Sequence, residues 1–446
     1  MLSGVRNLIA AIFRNARVLI IFLALLVFVS IFLSTPSTIS LVFLAMTLIL
    51  LYSYVIYLLV HFDMKHTPVP EITEWPSITV IIPAYNSSET IEECLACARS
   101  FEYPKPFEII VINDASKDDT GKKLAKIGGI RVITNPVNFG KARSMNEALR
   151  QVKTEFVACI DSDTYPPKDA LKKMVPVFYK QGTNIAAVTT FITVSRPKNL
   201  LQKIQAIEYF NGFGFGPATL SKVNGLMVVP GPMAIYRRKV LEKLGGFDEH
   251  NITEDMEITL RLHNNHYEID CCTEVVAPTE VPKTLKGLYR QRVRWYRGGV
   301  FNLKKYKHMV MNPKYGDFGV FSFSLMAISV LLSVIATVLV IYAILRGIWL
   351  TGTVALSWLS ISEMPKFSVE GLAGGGSVIT SAAIFMLIVG SIWTYFIVSG
   401  FRMAKAKLNF NYALIMVVTL LFYSMLNSFF YAVGVAKELN GSEKIW

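Results

Sequence analysis

The feature that most constrains this chain is a set of long segments without Asp, Glu, Lys or Arg near both of its ends. The first extends from Val18 to Phe62 and is interrupted at residues 34–38 by Ser-Thr-Pro-Ser-Thr. A bilayer core about 30 Å thick needs about 20 helical residues to cross it. Ile39–Val60 meets this length. Val18–Leu33 has 16 residues, and we interpret it as a span that extends through Ala16 or is tilted in a thin region, rather than as a cleaved signal peptide.

Three further uncharged apolar segments lie in the C-terminal part, at Phe318–Leu345, Val378–Phe401 and Phe410–Val435. Each is long enough to cross a bilayer. Charged residues make up 17% of the chain, whereas an ordinary soluble domain has about 25%. The sequence thus predicts two N-terminal and three C-terminal transmembrane helices, with an extracytoplasmic loop at 346–377.

Basic residues indicate how these segments are oriented, since cytoplasmic loops are enriched in Lys and Arg. Arg6, Arg14 and Arg17 precede the first segment, and Arg402 lies between the last two. We expect a multi-pass protein of the cell membrane with its N-terminus and residues 61–317 in the cytoplasm, and its C-terminus outside. The predicted domains are 1–60, 61–282, 283–317 and 318–446.

A strongly basic segment follows the central block. Lys283–Lys314 contains ten Lys and Arg residues and no Asp or Glu, interleaved with large apolar residues such as Leu288 and Trp295. This pattern predicts amphipathic helices on anionic membrane lipids. A nucleic-acid-binding surface has a similar composition, but the adjoining membrane segments argue against nucleic acid as a partner of this chain, whose net charge is +13.

Alternating strand and helix patterns fill the block between 61 and 282. Strand patterns occur at Ile78–Ile82, Glu108–Ile112, Arg131–Thr134, Phe156–Ile160 and Ala186–Val194, and helical patterns at Glu89–Arg99, Asp118–Ile127, Lys141–Val152 and Ala170–Phe178. The alternation predicts an α/β domain with a parallel, Rossmann-like sheet. Ligands of such sheets bind beyond the carboxyl ends of the strands. The sequence has no G-x-G-x-x-G motif and no P-loop, so it does not support an NAD or ATP site of those kinds.

Two aspartates directly follow one of these strands. Asp161 and Asp163 are two residues apart after Ile160, so in an extended chain their side chains point to the same side. Paired carboxylates repel each other unless a cation lies between them, and their hard oxygens suit Mg²⁺ or Mn²⁺. We interpret the pair as a metal site rather than as part of a solvated loop.

Four other positions have two interpretations each. Asp114 can accept a hydrogen bond from a nucleobase or serve as a turn residue, and Lys141 can bind a diphosphate at a helix N-terminus or only begin that helix. The acids of Thr253-Glu254-Asp255 can favour the start of a helix or provide a general base. Trp295 in Gln291-Arg292-Val293-Arg294-Trp295 can anchor a membrane interface or stack on a sugar.

The order of these motifs is more specific than any one of them. In chain order they are P-A-Y-N, N-D-A-S-K-D-D-T, N-F-G-K-A, D-S-D, P-G-P-M-A-I-Y-R-R, T-E-D and Q-R-V-R-W, between Pro83 and Trp295. The series resembles family 2 glycosyltransferases, above all their membrane-embedded processive branch of poly-N-acetylglucosamine, hyaluronan, chitin and cellulose synthases. The stretch Lys283–Arg292 is similar to bacterial poly-N-acetylglucosamine synthases.

The resemblance implies a GT-A fold and a nucleotide-diphosphate sugar donor, usually a UDP-sugar. It implies roles for three groups of residues: Ala84, Tyr85, Glu89, Asp114, Lys141 and Asp161 at the donor, Asp163 with Asp161 at Mg²⁺ or Mn²⁺, and Gln291, Arg294 and Trp295 at the acceptor and the diphosphate. Asp255 is the implied base, with Glu254 beside it.

The resulting hypothesis is inverting transfer of a sugar, with UDP-GlcNAc as the first candidate donor, to a growing polysaccharide at the cytoplasmic membrane face. Transfer to a polyprenyl phosphate or a diacylglycerol is the alternative, and a non-catalytic scaffold is a weaker one. For coupled export, Asn302, Asn409, Asn411 and Asn427 are candidate polar contacts along an exit path. An oligomer or an accessory subunit stays open as a partner.

Overall fold

The structure is a computed structural model that describes residues 38–63, 67–360 and 376–441. These residues form two compact units. One unit contains 38–63, 328–360 and 376–395, and the other contains 67–327 and 396–441. The predicted span Val18–Leu33 lies outside the described residues.

A seven-stranded mixed sheet forms the centre of the second unit. Its strands are β1 (Ile78–Ala84), β2 (Glu108–Asn113), β3 (Arg131–Thr134), β4 (Phe156–Ile160), β5 (Ile185–Val194), β6 (Met233–Arg237) and β7 (Glu268–Thr279). Their order across the sheet is β3-β2-β1-β4-β6-β5-β7. Strands β1 to β4 are mutually parallel, β7 is parallel to β5, and β6 is antiparallel to both β4 and β5.

The prediction of a purely parallel sheet is therefore wrong at β6. This strand pairs along its whole length with β4, from which it is separated by more than 70 residues of chain. A local pattern of apolar residues does not record such a long-range antiparallel partner, and the sequence analysis assigned no strand there or at β7. The strands β1 to β5 lie where their patterns predicted them, to within two residues at either end.

The helices follow in chain order. They are α1 (Thr38–Asp63), α2 (Ile91–Arg99), α3 (Thr120–Leu124), α4 (Lys141–Leu149), α5 (Ala170–Met174), α6 (Leu200–Phe210), α7 (Gly216–Leu220), α8 (Arg238–Lys243), α9 (Glu254–Asn264), α10 (Leu285–Lys305), α11 (Phe323–Ser360), α12 (Gly376–Met403), α13 (Phe410–Val418) and α14 (Ser424–Leu439). Short π-helical segments at Asn211–Phe215, Phe318–Ser322 and Thr419–Tyr423 adjoin α6, α11 and α14.

The core of the α/β domain explains why its central strands form. All residues of β1 and β4 are buried, which is the continuous apolar pattern of a strand covered on both faces. Val80, Leu95, Phe156 and Met233 belong to one buried cluster that joins the sheet to α2. Each fully buried side chain of this size contributes about 1.5–3 kcal/mol to folding.

The C-terminal helices of this unit pack closely on the α/β domain. A Cβ atom at Gly434 would lie 2.8 Å from Tyr296 Cβ, and one at Gly400 would lie 2.3 Å from the carbonyl oxygen of Phe210. Backbone contact at these two glycines holds α14 against α10 and the end of α12 against α6. The C-terminal residues 396–441 thus pack with the α/β domain in the same compact unit.

One helical segment among the described residues, Phe318–Ile335, is apolar and long enough to cross a membrane by length and composition. Shorter apolar helices occur at Leu48–Asp63 and Leu387–Met403. The predicted loop at 346–377 begins instead as helix, because α11 continues to Ser360. Residues 361–375 lie outside the described part of the chain. The arrangement of two and three spans stays a prediction.

Candidate active site

A cavity of about 640 Å³ lies at the carboxyl ends of β1, β2 and β4. It brings together all but one of the site residues predicted from the sequence, namely Ala84, Tyr85, Asp114, Lys141, Asp161, Asp163, Glu254, Asp255, Gln291, Arg294 and Trp295. Tyr209, Gly231, Thr279 and Glu280 also line it. Residues separated by more than 200 positions in the sequence thus face one space.

Glu89 is the predicted donor residue that does not line this cavity. Its side chain is 81% exposed, and its carboxylate lies 3.1 Å from Lys283 Nζ. The two side chains form a surface ion pair, so the geometry gives no support for contact between Glu89 and a nucleotide.

Asp114 organises the loop that leads into α4. Its carboxylate is buried and accepts hydrogen bonds from Asn135 Nδ2 at 2.8 Å, from the Phe139 amide at 2.9 Å and from the Gly140 amide at 2.8 Å. The bonding partners of this carboxylate lie 21 to 26 residues further along the chain, so Asp114 holds a distant loop rather than a turn of its own segment, while it also lines the cavity. By fixing Gly140, it fixes the point at which Lys141 begins its helix.

Lys141 is the cationic centre of the site. Its Nζ lies 2.6 Å from Asp161 Oδ1 and 3.1 Å from Glu254 Oε1. Burial by itself would lower the pKa of Lys141, but the carboxylates of Asp161, Glu254 and Asp255 outweigh it and raise the pKa. The side chain is therefore a permanent positive charge that links the end of β4 to the start of α9.

Gly231 makes this arrangement possible, and the sequence analysis did not assign it a role. A Cβ atom at this position would lie 2.4 Å from Lys141 Nζ and 3.0 Å from Asp161 Oδ2. Only a residue without a side chain leaves room for the ion pair. The signal in the sequence is the Pro230-Gly231-Pro232 motif.

Asp163 lines the cavity together with Asp161. Its Oδ1 accepts a hydrogen bond from Thr279 Oγ1 at 3.3 Å. Burial, followed by the negative charge of Asp161, raises the pKa of Asp163 to about 7. Within the described residues, no group of three or more His, Cys, Asp and Glu side chains is arranged to hold a metal ion. A cation at this carboxylate pair would need further oxygens from a bound ligand or from water.

Glu254 and Asp255 are neighbours in the chain but have opposite electrostatic environments. Burial would raise the pKa of Glu254, but the charges of Lys141 and Arg294 outweigh it and lower the pKa. Burial, followed by the negative charge of Glu254, raises the pKa of Asp255 to about 6. When the environment lowers one pKa and raises the other, one carboxylate stays charged and the other can accept a proton. Glu254 is the ion-pair partner of Lys141, and Asp255 is the carboxylate suited to accept a proton near neutral pH.

The carboxylate of Asp255 is oriented by two backbone amides. Its Oδ1 accepts a hydrogen bond from the Met256 amide at 2.8 Å, and its Oδ2 accepts one from the Gly231 amide at 3.4 Å. The Gly231 contact joins the start of α9 to the segment that precedes β6. Gly231 therefore touches both the cationic centre and the candidate base.

Trp295 is supported by an arginine that the sequence analysis did not assign. The guanidinium carbon of Arg292 lies 4.2 Å from the centroid of the Trp295 ring. Arg292 is fully buried, and it donates hydrogen bonds to Glu208 Oε2 at 2.6 Å and to Gln291 Oε1 at 2.8 Å. It lies inside the Q-R-V-R-W motif, but a sequence does not show which of two neighbouring arginines points inwards.

Arg294 contacts the segment that precedes α9. Its Nη1 donates a hydrogen bond to the carbonyl oxygen of Ile252 at 3.0 Å. The two arginines of the Gln291–Trp295 motif on α10 therefore have different contacts. Arg292 supports the tryptophan, whereas Arg294 faces the acidic pair at the start of α9.

Comparison with known proteins identifies the family of one part of the chain. Residues 79–245 match the family model described as glycosyl transferase family 2. This part of the chain is a family 2 glycosyltransferase domain. The match confirms, for residues 79–245, the family that the order of the motifs predicted.

The chain is also similar to curated proteins over a region that is longer than residues 79–245. The chain is 34% identical over 225 residues to the poly-β-1,6-N-acetyl-D-glucosamine synthase of Staphylococcus epidermidis, which is 50% of this chain and 54% of the relative. It is 31% identical over 243 residues to the synthase of that name from Staphylococcus aureus strain COL, which is 54% of this chain and 58% of the relative. The chain thus spans about half the length of the curated relatives it matches.

A solved structure with a similar fold is a mannosyltransferase from Pyrobaculum calidifontis in complex with GDP-Man and Mn²⁺. It has a TM-score of 0.55 at 19% identity and covers 93% of this chain and 99% of its own. At this identity the likeness concerns the fold alone. It supports the GT-A-like, mixed α/β architecture of the family 2 domain.

Proposed function

We propose that this protein is an inverting glycosyltransferase that transfers a sugar from a nucleotide-diphosphate donor to a growing glycan. One observation carries the proposal. Asp255, a carboxylate with a pKa raised to about 6, shares a single cavity with the Lys141–Asp161 ion pair and with Trp295. A base, a diphosphate-binding charge and a sugar-stacking surface are the three groups that the reaction requires.

The donor base and ribose bind beside β1 and β2 in this proposal. Tyr85 is 45% exposed at the end of β1, which leaves its ring free to stack on a nucleobase. The carbonyl oxygen of Ala84 accepts a hydrogen bond from the Asp114 amide at 2.9 Å, which fixes the two strand ends side by side. This concave edge is where ligands of open α/β sheets bind.

The diphosphate binds at Lys141, with a divalent cation held by Asp161 and Asp163. The donor set fits Mg²⁺ or Mn²⁺, since it consists of carboxylate oxygens at one strand end that line an open cavity. Such an ion would stabilise the negative charge that develops on the leaving diphosphate. Lys141 contributes a fixed positive charge to the same end of the site.

Asp255 performs the proton transfer. An acceptor hydroxyl attacks the anomeric carbon on the face opposite the diphosphate, the new C–O bond forms as the bond to the diphosphate breaks, and Asp255 receives the hydroxyl proton. Inversion at the anomeric carbon follows from this single displacement. Trp295 and Gln291 line the part of the cavity where we place the acceptor.

The names of the relatives favour N-acetylglucosamine as the sugar and a polysaccharide as the product. UDP-GlcNAc is therefore the first donor to test. We place the reaction at the cytoplasmic face of the cell membrane, because the apolar segment Phe318–Ile335 comes soon after the last site residue, Trp295, in the chain and the basic residues favour that orientation.

The test uses the full chain in liposomes with radiolabelled UDP-GlcNAc, UDP-glucose, UDP-GlcA and GDP-Man, each with Mg²⁺ or Mn²⁺, and sizes the product on a gel. We expect a polymer from one UDP-sugar, lost on chelation and absent with the Asp255→Asn variant. A labelled lipid of low molecular weight would show that the acceptor is a polyprenyl phosphate or a diacylglycerol rather than a glycan. Intact donor under every condition would overturn the proposal.

A further inference from the structure

A closed ring of hydrogen bonds joins the segment before Asp255 to α10. Its members are Asn251, Thr253 and Asn302, with exposed fractions of 0%, 4% and 0%. Asn251 Nδ2 donates to Asn302 Oδ1 at 2.7 Å, and Asn302 Nδ2 donates to Thr253 Oγ1 at 3.1 Å. Asn251 Oδ1 accepts from the Thr253 amide at 3.0 Å and from Thr253 Oγ1 at 3.2 Å. Buried amides without such partners would destabilise the fold.

Because of the ring, Thr253 does not cap helix α9 with its side chain. A threonine at this position before a helix usually caps it with its side-chain oxygen, which stabilises a helix by about 1 kcal/mol. Thr253 precedes α9 but makes no such bond. Its hydroxyl contacts Asn302 on α10 instead, so its side chain joins two elements of the site rather than stabilising one of them.

Gly298, four residues before Asn302 on α10, packs directly against Thr253. A Cβ atom at Gly298 would lie 2.2 Å from Thr253 Oγ1, 2.4 Å from its Cγ2 and 2.8 Å from its Cβ. Arg294 Nη1 bonds the carbonyl oxygen of Ile252 another four residues earlier. Positions 294, 298 and 302 lie on one stripe of the helix because residues four apart share a face. This stripe contacts residues 251–253 along its length.

We propose that Asn302 and Gly298 are positioning residues that set the distance between the base Asp255 and the acceptor surface at Trp295. Asp255 directly follows the segment that the stripe holds, and Trp295 is on the helix that carries the stripe. This inference rests on the proposed function. It also replaces the earlier interpretation of Asn302 as a polar contact along an exit path, because its side chain is fully buried in the ring.

The proposal separates acceptor chemistry from donor binding. Asp114 directly follows β2 and Asp161 directly follows β4, whereas Lys141 on α4 lies 3.1 Å from Glu254 Oε1 at the start of α9. The ring and the stripe hold residues 251–253, which precede Glu254. A displacement of about 1 Å between a base and its substrate can lower a rate by about 100-fold. Loosening the contact between residues 251–253 and the stripe on α10 should therefore reduce sugar transfer while the donor still binds.

The experiment measures three quantities for Asn302→Ala and Gly298→Ala in the full chain: donor affinity by equilibrium binding, kcat for transfer to the glycan, and hydrolysis of the donor by water. We expect kcat for transfer to fall by roughly 10- to 100-fold, with donor affinity within about twofold and hydrolysis less affected than transfer. Lys304→Ala, an exposed change on the same helix, should leave all three unchanged.

A double-variant comparison guards against simple misfolding. Thr253→Ala removes the two side-chain atoms nearest to the position of a Cβ at 298. Gly298→Ala should therefore reduce kcat less in the Thr253→Ala background than in the wild type, because the Cβ at position 253, at 2.8 Å, is then the one remaining close contact of the three. Equal effects in both backgrounds would overturn the positioning role of Gly298.

Two other results would overturn the inference. Wild-type kcat in Asn302→Ala would do so directly, and so would a parallel loss of donor affinity, transfer and hydrolysis, which indicates a purely structural role. An inactive wild type with every donor is a different outcome. It overturns the proposed function, and this inference with it, before any variant is compared.

Discussion

Gly231 lies against the ammonium group of Lys141, so closely that a single methyl group at position 231 would be 2.4 Å from Nζ. Lys141 is flexible, and its side chain is 31% exposed, so it can move aside at little cost to the fold. Its ion pair with Asp161 would then be broken. The close approach therefore affects the chemistry of the site more than its stability.

We expect Gly231→Ala to weaken donor binding by about tenfold, since a charge-assisted hydrogen bond contributes about 1.5–3 kcal/mol, with little change in the melting temperature. Equilibrium binding of a UDP-sugar and a thermal melt check this. Gly128→Ala is the matched control because a Cβ there would have no neighbour within 4 Å. Wild-type affinity in Gly231→Ala would refute a diphosphate role for Lys141 at this position.

Asp255→Asn should lower kcat by roughly 10²- to 10⁴-fold, the usual contribution of general base catalysis, while donor affinity stays within a few-fold. An amide has nearly the same shape as the carboxylate but cannot accept the hydroxyl proton. Transfer kinetics and donor binding are measured on the same preparation. If Asp255→Asn keeps more than half of the wild-type kcat, the base is another group.

The pH dependence of kcat provides an independent check on Asp255. The group is surrounded by Glu254, Lys141 and Arg294, and burial followed by the charge of Glu254 raises its pKa to about 6. A base with a raised pKa is deprotonated above that value and protonated below it, so activity is lost as the pH falls. We expect kcat at saturating donor and metal to drop about tenfold between pH 7 and pH 5. A flat profile over this interval would contradict the assignment.

The sequence predicted the parts of this site that depend on short stretches of chain. Asp161 and Asp163 follow a strand whose apolar pattern is unambiguous, and their location at its carboxyl end needed no knowledge of the rest of the fold. Gly231 and Arg292 could not be found in this way. Their roles depend on contacts with Lys141 and Glu208, which are about 80 to 90 residues away in the sequence.

The same reasoning explains the other differences. Asn302 lies between Phe301 and Leu303, and its burial depends on Asn251 and Thr253, about 50 residues earlier in the chain, with which it forms hydrogen bonds. The position of β6 depends on its pairing with β4 and β5 rather than on its own five residues. Patterns within one element were predictive, whereas contacts between distant elements were not.

Removal of divalent metal should affect donor binding before it affects the fold. Asp161 and Asp163 are the proposed ligands, and donor diphosphate supplies further oxygens, so chelation is expected to weaken UDP-sugar binding by at least about tenfold. Asp163→Ala should bind donor weakly with or without Mn²⁺. The control is Asp169→Ala, an acidic residue paired with Lys173 near the same loop. Metal-independent donor binding by the wild type would exclude the metal site.

Arg292 links Trp295 to the C-terminal helices. It donates to Glu208 Oε2 at 2.6 Å, and the hydroxyl of Tyr423 donates to the same oxygen at 2.8 Å. Its guanidinium group also lies over the indole ring. One buried cation thus holds the tryptophan at the cavity and connects α10 with α6 and with the segment before α14.

Replacement of this arginine should therefore have two effects. We expect Arg292→Leu to destabilise the protein by about 3 kcal/mol, because it leaves Glu208 without its cation, and to raise the acceptor KM while donor affinity is kept. Arg290→Leu removes the same charge from an exposed position on α10 and serves as the control. Chemical denaturation and acceptor titration measure the two effects, and Trp295 fluorescence should shift in Arg292→Leu alone. Equal behaviour of the two variants would show that Arg292 does not position Trp295.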